Sequence, residues 1–124
     1  MRDKPCVLCR AIELKNDCFV AAWEPFPVGI GHMKIMPYRH SATLFTFTEK
    51  EEKDFWDILK RVKAYLDTAL GSHKPDGYNI GINVGEAAGQ TIAHLHIHVI
   101  PRYKGDVENP RGGVRNIKPA EVSW

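Results

Sequence analysis

The segment His94-Leu95-His96-Ile97-His98-Val99-Ile100 alternates imidazole and aliphatic side chains without a break. On a strand, successive side chains point to opposite faces. This spacing therefore predicts a strand with Leu95, Ile97 and Val99 in a core and three histidines on the other face. Same-face neighbours on a strand are about 6.5 to 7 Å apart. A fold built around such a strand needs one apolar sheet face and one face that carries a row of titratable rings.

A chain of 124 residues, 44% hydrophobic and 26% charged, is sized for a single domain (residues 1–124) with a modest core. A small sheet with an exposed face would gain from dimerisation. The formal charge of +2 makes no case for a nucleic-acid partner. That excess lies wholly beyond Pro101, where Arg102, Lys104, Arg111, Arg115 and Lys118 face only Asp106, Glu108 and Glu121. A basic segment directly after the histidines suits an anionic ligand such as a polyphosphate, although a solvated loop would read the same way. No run reaches the ~18 apolar residues of a membrane span. Met1-Arg2-Asp3-Lys4-Pro5 lacks an export signal, so the expected location is the cytoplasm, with no membrane partner.

Two further strands are expected at Asp17 to Ala22 and Met33 to Pro37, separated by a Pro- and Gly-rich loop from Trp23 to Gly31. Thr48 and Glu51 form a capping box that opens a long helix. Its apolar stripe is Phe55, Ile58, Leu59, Val62, Leu66 and Ala69, and Gly71 stops it. Trp56 lies off the stripe. A fourth strand runs from Tyr78 to Val84, and the loop Gly85-Glu86-Ala87-Ala88-Gly89-Gln90 leads into the histidine run. Together these elements predict an α+β domain: an antiparallel sheet of about five strands with one long and one shorter helix.

Several chemistries suit the histidines. All three on one metal is disfavoured, because His94 and His98 would stand about 13 Å apart at their backbones, too far for bonds of about 2.0 to 2.1 Å. Two of them could share an ion. Alternatively one imidazole acts as a nucleophile, since a reference pKa near 6.5 leaves a neutral ring available at pH 7. Cys6-Val7-Leu8-Cys9 has the spacing of a metal or redox pair, without the helix-on-parallel-sheet context of a thioredoxin site. Cys18, beside Phe19 and Val20, reads as a buried apolar residue.

At these residues the chain resembles the histidine triad family of nucleotide hydrolases and transferases. The run from His94 to Ile100 spells the family motif. The likeness extends to Asn83, Gly85, Gly89, Gln90 and Thr91, and back to Gly31-His32 and Pro37-Tyr38-Arg39-His40. The continuation Pro101-Arg102-Tyr103-Lys104-Gly105-Asp106 looks more like the bacterial dinucleoside polyphosphate hydrolase branch than the phosphoramidase branch, which continues with glycines.

The resemblance implies a histidine-triad fold whose sheets join edge to edge in a homodimer. It implies hydrolysis at the α-phosphate of adenine nucleotides such as diadenosine polyphosphates. In that chemistry His96 is the nucleophile that becomes nucleotidylated, His98 a donor to phosphate oxygen, and His94 the third member of the triad. Asn83, Gly89, Gln90 and Thr91 match phosphate-contacting positions, and His32 matches a histidine that reaches the site from the second strand. Glu24, eight residues before His32, stands where the family places an Asp or Asn on the ribose hydroxyls; this departure bears on nucleoside preference. Ile30, Phe19 and Trp23 are candidate walls for the base, with core packing the favoured reading for any one of them. The family also implies a structural zinc held by Cys6, Cys9, His40 and His94, with no metal needed for the chemistry. A nucleoside phosphoramidase, or a nucleotide-binding regulatory protein with incidental turnover, are the alternative readings.

Overall fold

A computed structural model describes residues 12–118 of the chain. The elements in chain order are β1 (Ile12–Lys15), β2 (Phe19–Trp23), β3 (Met33–Pro37), α1 (Glu49–Ala69), β4 (Gly77–Ile82) and β5 (Ile97–Arg102). They form one antiparallel sheet in the order β1-β2-β3-β5-β4, so β5 is inserted between β3 and β4. The expected five-stranded α+β architecture is present. Among the described residues the shorter helical segments are two single 3-10 turns, Leu44–Thr46 and Glu86–Ala88.

The β1–β2 hairpin closes on Asn16, whose Oδ1 accepts from the N–H groups of Cys18 and Phe19. That side-chain turn occupies Asp17 and Cys18, so β2 begins at Phe19 rather than at Asp17. The Nδ2 of Asn16 donates to the Asp54 carbonyl and to Asp57, which docks the hairpin on α1. The helix starts at the expected capping box: Thr48 accepts from the Glu51 N–H, and Glu51 accepts from the Thr48 N–H. The Glu51 carboxylate also receives Nε and an NH2 group of Arg39, which joins the end of β3 to the start of α1.

Ile58, Val62 and Leu66 of α1 are fully buried against Phe19, Ala21, Met33, Ile35, Leu95, Ile97 and Val99. Phe55 and Leu59 flank this core, as the stripe predicts; Ala69 lies outside it and Leu70 packs in its place. On the opposite face of the sheet Val20, Ala22 and Met36 are buried with Tyr38 against them.

The histidine strand is shorter than its sequence pattern. Regular pairing starts at Ile97, leaving His94 and His96 ahead of it. β3 ends at Pro37, which has no N–H with which to continue a ladder. The ring of His94 takes over there and donates from Nε2 to the Pro37 carbonyl at 2.8 Å, while the Leu95 N–H donates to the Ser41 carbonyl. Side-chain alternation nevertheless persists: Leu95, Ile97 and Val99 are buried, and His96 and His98 lie on the other face.

Candidate active site

β5 is the platform of the site. In register, His98 faces Lys34 of β3 on one side and Gly81 of β4 on the other. The ladder between β2 and β3 continues one step beyond the strands through the Glu24 N–H to the His32 carbonyl, 2.9 Å. This brings Glu24 and His32 to the same end of the sheet as His98. Gly31 makes the approach possible. Its φ is +79°, and a Cβ there would stand 2.6 Å from Leu70 Cδ1 and 3.1 Å from Pro101 Cγ.

The hydrogen bonds fix where the protons lie. Nδ1 of His96 is 3.1 Å from the His94 carbonyl, and a carbonyl only accepts; Nδ1 therefore carries a hydrogen, and in the neutral ring Nε2 holds the lone pair. In His32, Nδ1 accepts from the Val28 N–H at 3.2 Å, so its hydrogen is on Nε2. That group donates across 2.9 Å to Nδ1 of His98. The neutral His98 ring then carries its own hydrogen on Nε2. The rings of His96 and His98 lie 5.0 Å apart, nearly perpendicular. A lone pair and an N–H donor thus sit side by side, the requirement for attack at a phosphorus with support for its oxygens.

Burial pushes both His32 and His98 below the ordinary imidazole range. For His98 the neighbouring His96 and His32 rings and the Lys34 ammonium add to that effect, and the Glu24 carboxylate opposes it. Burial acts to raise Glu24, but the Phe26 N–H and Lys34 outweigh it and hold the carboxyl below its usual value.

Glu24, His32 and His98 place one donor atom each within 4.8 Å of one another, a spacing that a metal ion could use. The two ring nitrogens are already joined by a hydrogen bond, and the cation beside Glu24 is Lys34, with Nζ 3.7 Å from Oε1. Lys34 is the site residue that sequence reasoning missed. Its one signal was a lysine inside the otherwise apolar strand Met33-Lys34-Ile35-Met36-Pro37.

Of the four residues expected around zinc, His40 and His94 are together, their ring centroids 5.1 Å apart. The bond to Pro37 uses Nε2 of His94 and leaves Nδ1 for another partner. That arrangement fits two imidazole ligands. Cys6 and Cys9 lie outside the described residues.

The loop before the triad turns on Gly85 and Gly89, both with positive φ. Gln90 holds it closed: Oε1 accepts from the Gly85 N–H at 2.8 Å and Nε2 donates to the Ala42 carbonyl at 2.9 Å. The Gln90 side chain thus braces the loop through Oε1 and one of its two Nε2 hydrogens. Asn83 and Thr91 are exposed on either side, and the Asn83 amide approaches Gly89. The candidate base walls divide. Phe19 and Trp23 belong to the helix-facing core, whereas Ile30 lines a cleft of about 470 Å³ with Val28, Asn79 and Ile100. β2 has alternating faces, so Phe19 and Trp23 are excluded from the face that bears Glu24.

An antiparallel sheet that carries the alternating histidines at the start of an inner strand, with two of their rings on one face, is the arrangement of a histidine-triad type of protein. The chain belongs to the HIT family: the HIT domain matches residues 10–105. It is 32% identical to an uncharacterised HIT-like protein of Methanocaldococcus jannaschii, over 94% of this chain and 95% of that one. It is 36% identical to a bis(5'-adenosyl)-triphosphatase of Dictyostelium discoideum, over 67% of this chain but only 54% of the slime-mould protein. A zinc-bound histidine triad family protein from Mycobacterium smegmatis has the same fold, with a TM-score of 0.64 and 28% identity over 86% of this chain and 80% of that one. No helix among the described residues is long and apolar enough to cross a membrane.

Proposed function

We propose that this protein hydrolyses adenine nucleotides at the α-phosphate, with diadenosine polyphosphates as lead substrates, through a nucleotidyl-histidine intermediate. The observation that carries the reading is the lone pair on Nε2 of His96, fixed by the bond from Nδ1 to the His94 carbonyl and set beside the donor His98. Nε2 of His96 attacks the α-phosphorus, the bond to the bridging oxygen breaks, and the remaining nucleotide leaves. His98 donates from Nε2 to a phosphate oxygen as charge develops. Water then attacks the same phosphorus, the P–N bond breaks, AMP departs with the water oxygen, and the surplus proton goes to solvent. His94 supports the nucleophile through its carbonyl. The turn with Gly89, Asn83 and Thr91 offers polar groups to the phosphates, and Gln90 acts by holding that turn in shape. Glu24 accepts from the ribose, and His32 sets the tautomer of His98. The triphosphatase relative supports the substrate class.

A zinc ion held by Cys6, Cys9, His40 and His94 would pin the N-terminal segment to the triad. It supplies a structural crosslink and no step of the reaction. The cytoplasm, where thiols stay reduced, suits both that site and the substrate.

The test is AMP release from diadenosine polyphosphates, followed by chromatography, with protein quenched at alkaline pH, where the P–N bond survives, examined by mass spectrometry for one added adenylyl group. The wild type should release AMP and carry the adduct. His96→Ala should lose both, by at least a hundredfold in rate. Equal release by the variant would end this reading. Adenosine phosphoramidates as parallel substrates decide between the anhydride and phosphoramidate branches.

A further inference from the structure

Lys34 is fully buried, yet its Nζ has no hydrogen-bond partner among the described residues, and its nearest anion, Glu24 Oε1, is 3.7 Å away. A buried ammonium so poorly satisfied is costly, and a strand otherwise made of Met, Ile and Pro would be more stable with an apolar residue there. Its position suggests what the cost is for. Lys34 is the direct cross-strand neighbour of His98, and Glu24 Oε1 is 4.0 Å from Nδ1 of that same ring. An unbalanced carboxylate at that distance would draw a third ring proton onto the His32–His98 pair. The pair would become an imidazolium couple, and the single direction of the chain from Val28 N–H through His32 to His98 would be lost.

We propose that Lys34 and Glu24 form a charge-balancing pair that positions His98, keeping its ring neutral, its Nδ1 an acceptor from His32 and its Nε2–H free to donate. Lys34 touches no reacting atom in this scheme; it is a positioning residue that acts through Glu24 and His98. The inference rests on the proposed role of His98, but it concerns the state of the ring and can be read without turnover. The charged and titratable groups facing His98 are His96 just ahead of β5, His32 and Lys34 on the β3 side, and Glu24 after β2. From β4 the facing residue is Gly81.

The experiment is a pH titration of the histidine ring nitrogens by 15N NMR in wild type, Lys34→Met, Glu24→Gln and the double variant. In wild type, His98 should show protonated Nε2 and bare Nδ1 at neutral pH. Lys34→Met should raise the midpoint for the His32–His98 pair by about one pH unit. Glu24→Gln should lower it, and the double variant should return it close to wild type. In an active preparation of Lys34→Met, which leaves the ribose acceptor Glu24 in place, the acid limb of kcat should move with its midpoint while KM changes less. An unchanged midpoint in both single variants would overturn the inference, as would equal displacement in the single and double variants. Where Lys34→Met does not fold, Glu24→Gln alone decides the matter. Loss of the NMR coupling in an enzyme that still releases AMP condemns only this inference; coupling without AMP release condemns only the hydrolase reading.

Discussion

His32 holds hydrogen bonds at both ring nitrogens, accepting at Nδ1 from Val28 and facing His98 at Nε2. Both rings titrate below the ordinary imidazole value because burial penalises their charged forms. Folding therefore favours the neutral rings, and their contribution is fully present above the unfolded value of about 6.5. It is lost as pH falls through the lower folded values. The melting temperature should decline as pH is lowered from 7 through about 6. His32→Asn should flatten that decline, as measured by calorimetry across the range. The histidines of the triad were legible in sequence, because alternation alone separates them from the core. Lys34 was not legible as part of the site. Only the register between β3 and β5 puts it beside His98.

α1 joins the triad scaffold at two places. At its start the Thr48–Glu51 box is reinforced by Arg39, whose guanidinium, with burial opposing, holds the Glu51 carboxyl below the usual range. Thr48→Ala should cost about 1 kcal/mol by chemical denaturation. The stabilising ionised form of Glu51 is present above the ordinary carboxylate range and is lost as pH falls through its lowered folded value. The Arg39 contact should therefore contribute at pH 7 and vanish in strong acid. Along its length the helix rests on Ile58, Val62 and Leu66, all fully buried. Ile58→Ala should cost about 2–5 kcal/mol, since the surrounding sheet cannot collapse into the gap. These features follow from periodicity and a local capping motif, and so the helix was readable residue by residue. The ends of the strands were not. β5 begins late because a proline ends its neighbour, and β2 begins late because Asn16 bends the chain back.

At the scale of the whole molecule, β4 is an edge strand paired among the described residues with β5 alone, and Ile80 on it is exposed. An open edge with an exposed aliphatic residue is suited to pairing with a second copy. Light scattering should give a particle of about twice the 14.0 kDa chain, and Ile80→Lys should shift it toward the monomer. Metal analysis should find about one zinc per chain, with Cys6→Ser removing it; equal metal in both would strike Cys6 from the ligands.

The alternating run from His94 to Val99 by itself determined that this chain would carry imidazoles on one side of a sheet and a core on the other, because side-chain direction on a strand is a local property. The helix and its cap were determined in the same way. The tertiary structure decided which partners those rings meet. It separated Phe19 and Trp23 from the face that bears Glu24, turned Gln90 inward to hold its own loop, and set Lys34 and Glu24 beside His98. Each of these depends on register between strands distant in sequence. Such pairings are set by the packing of the whole sheet, and no short stretch of residues carries them.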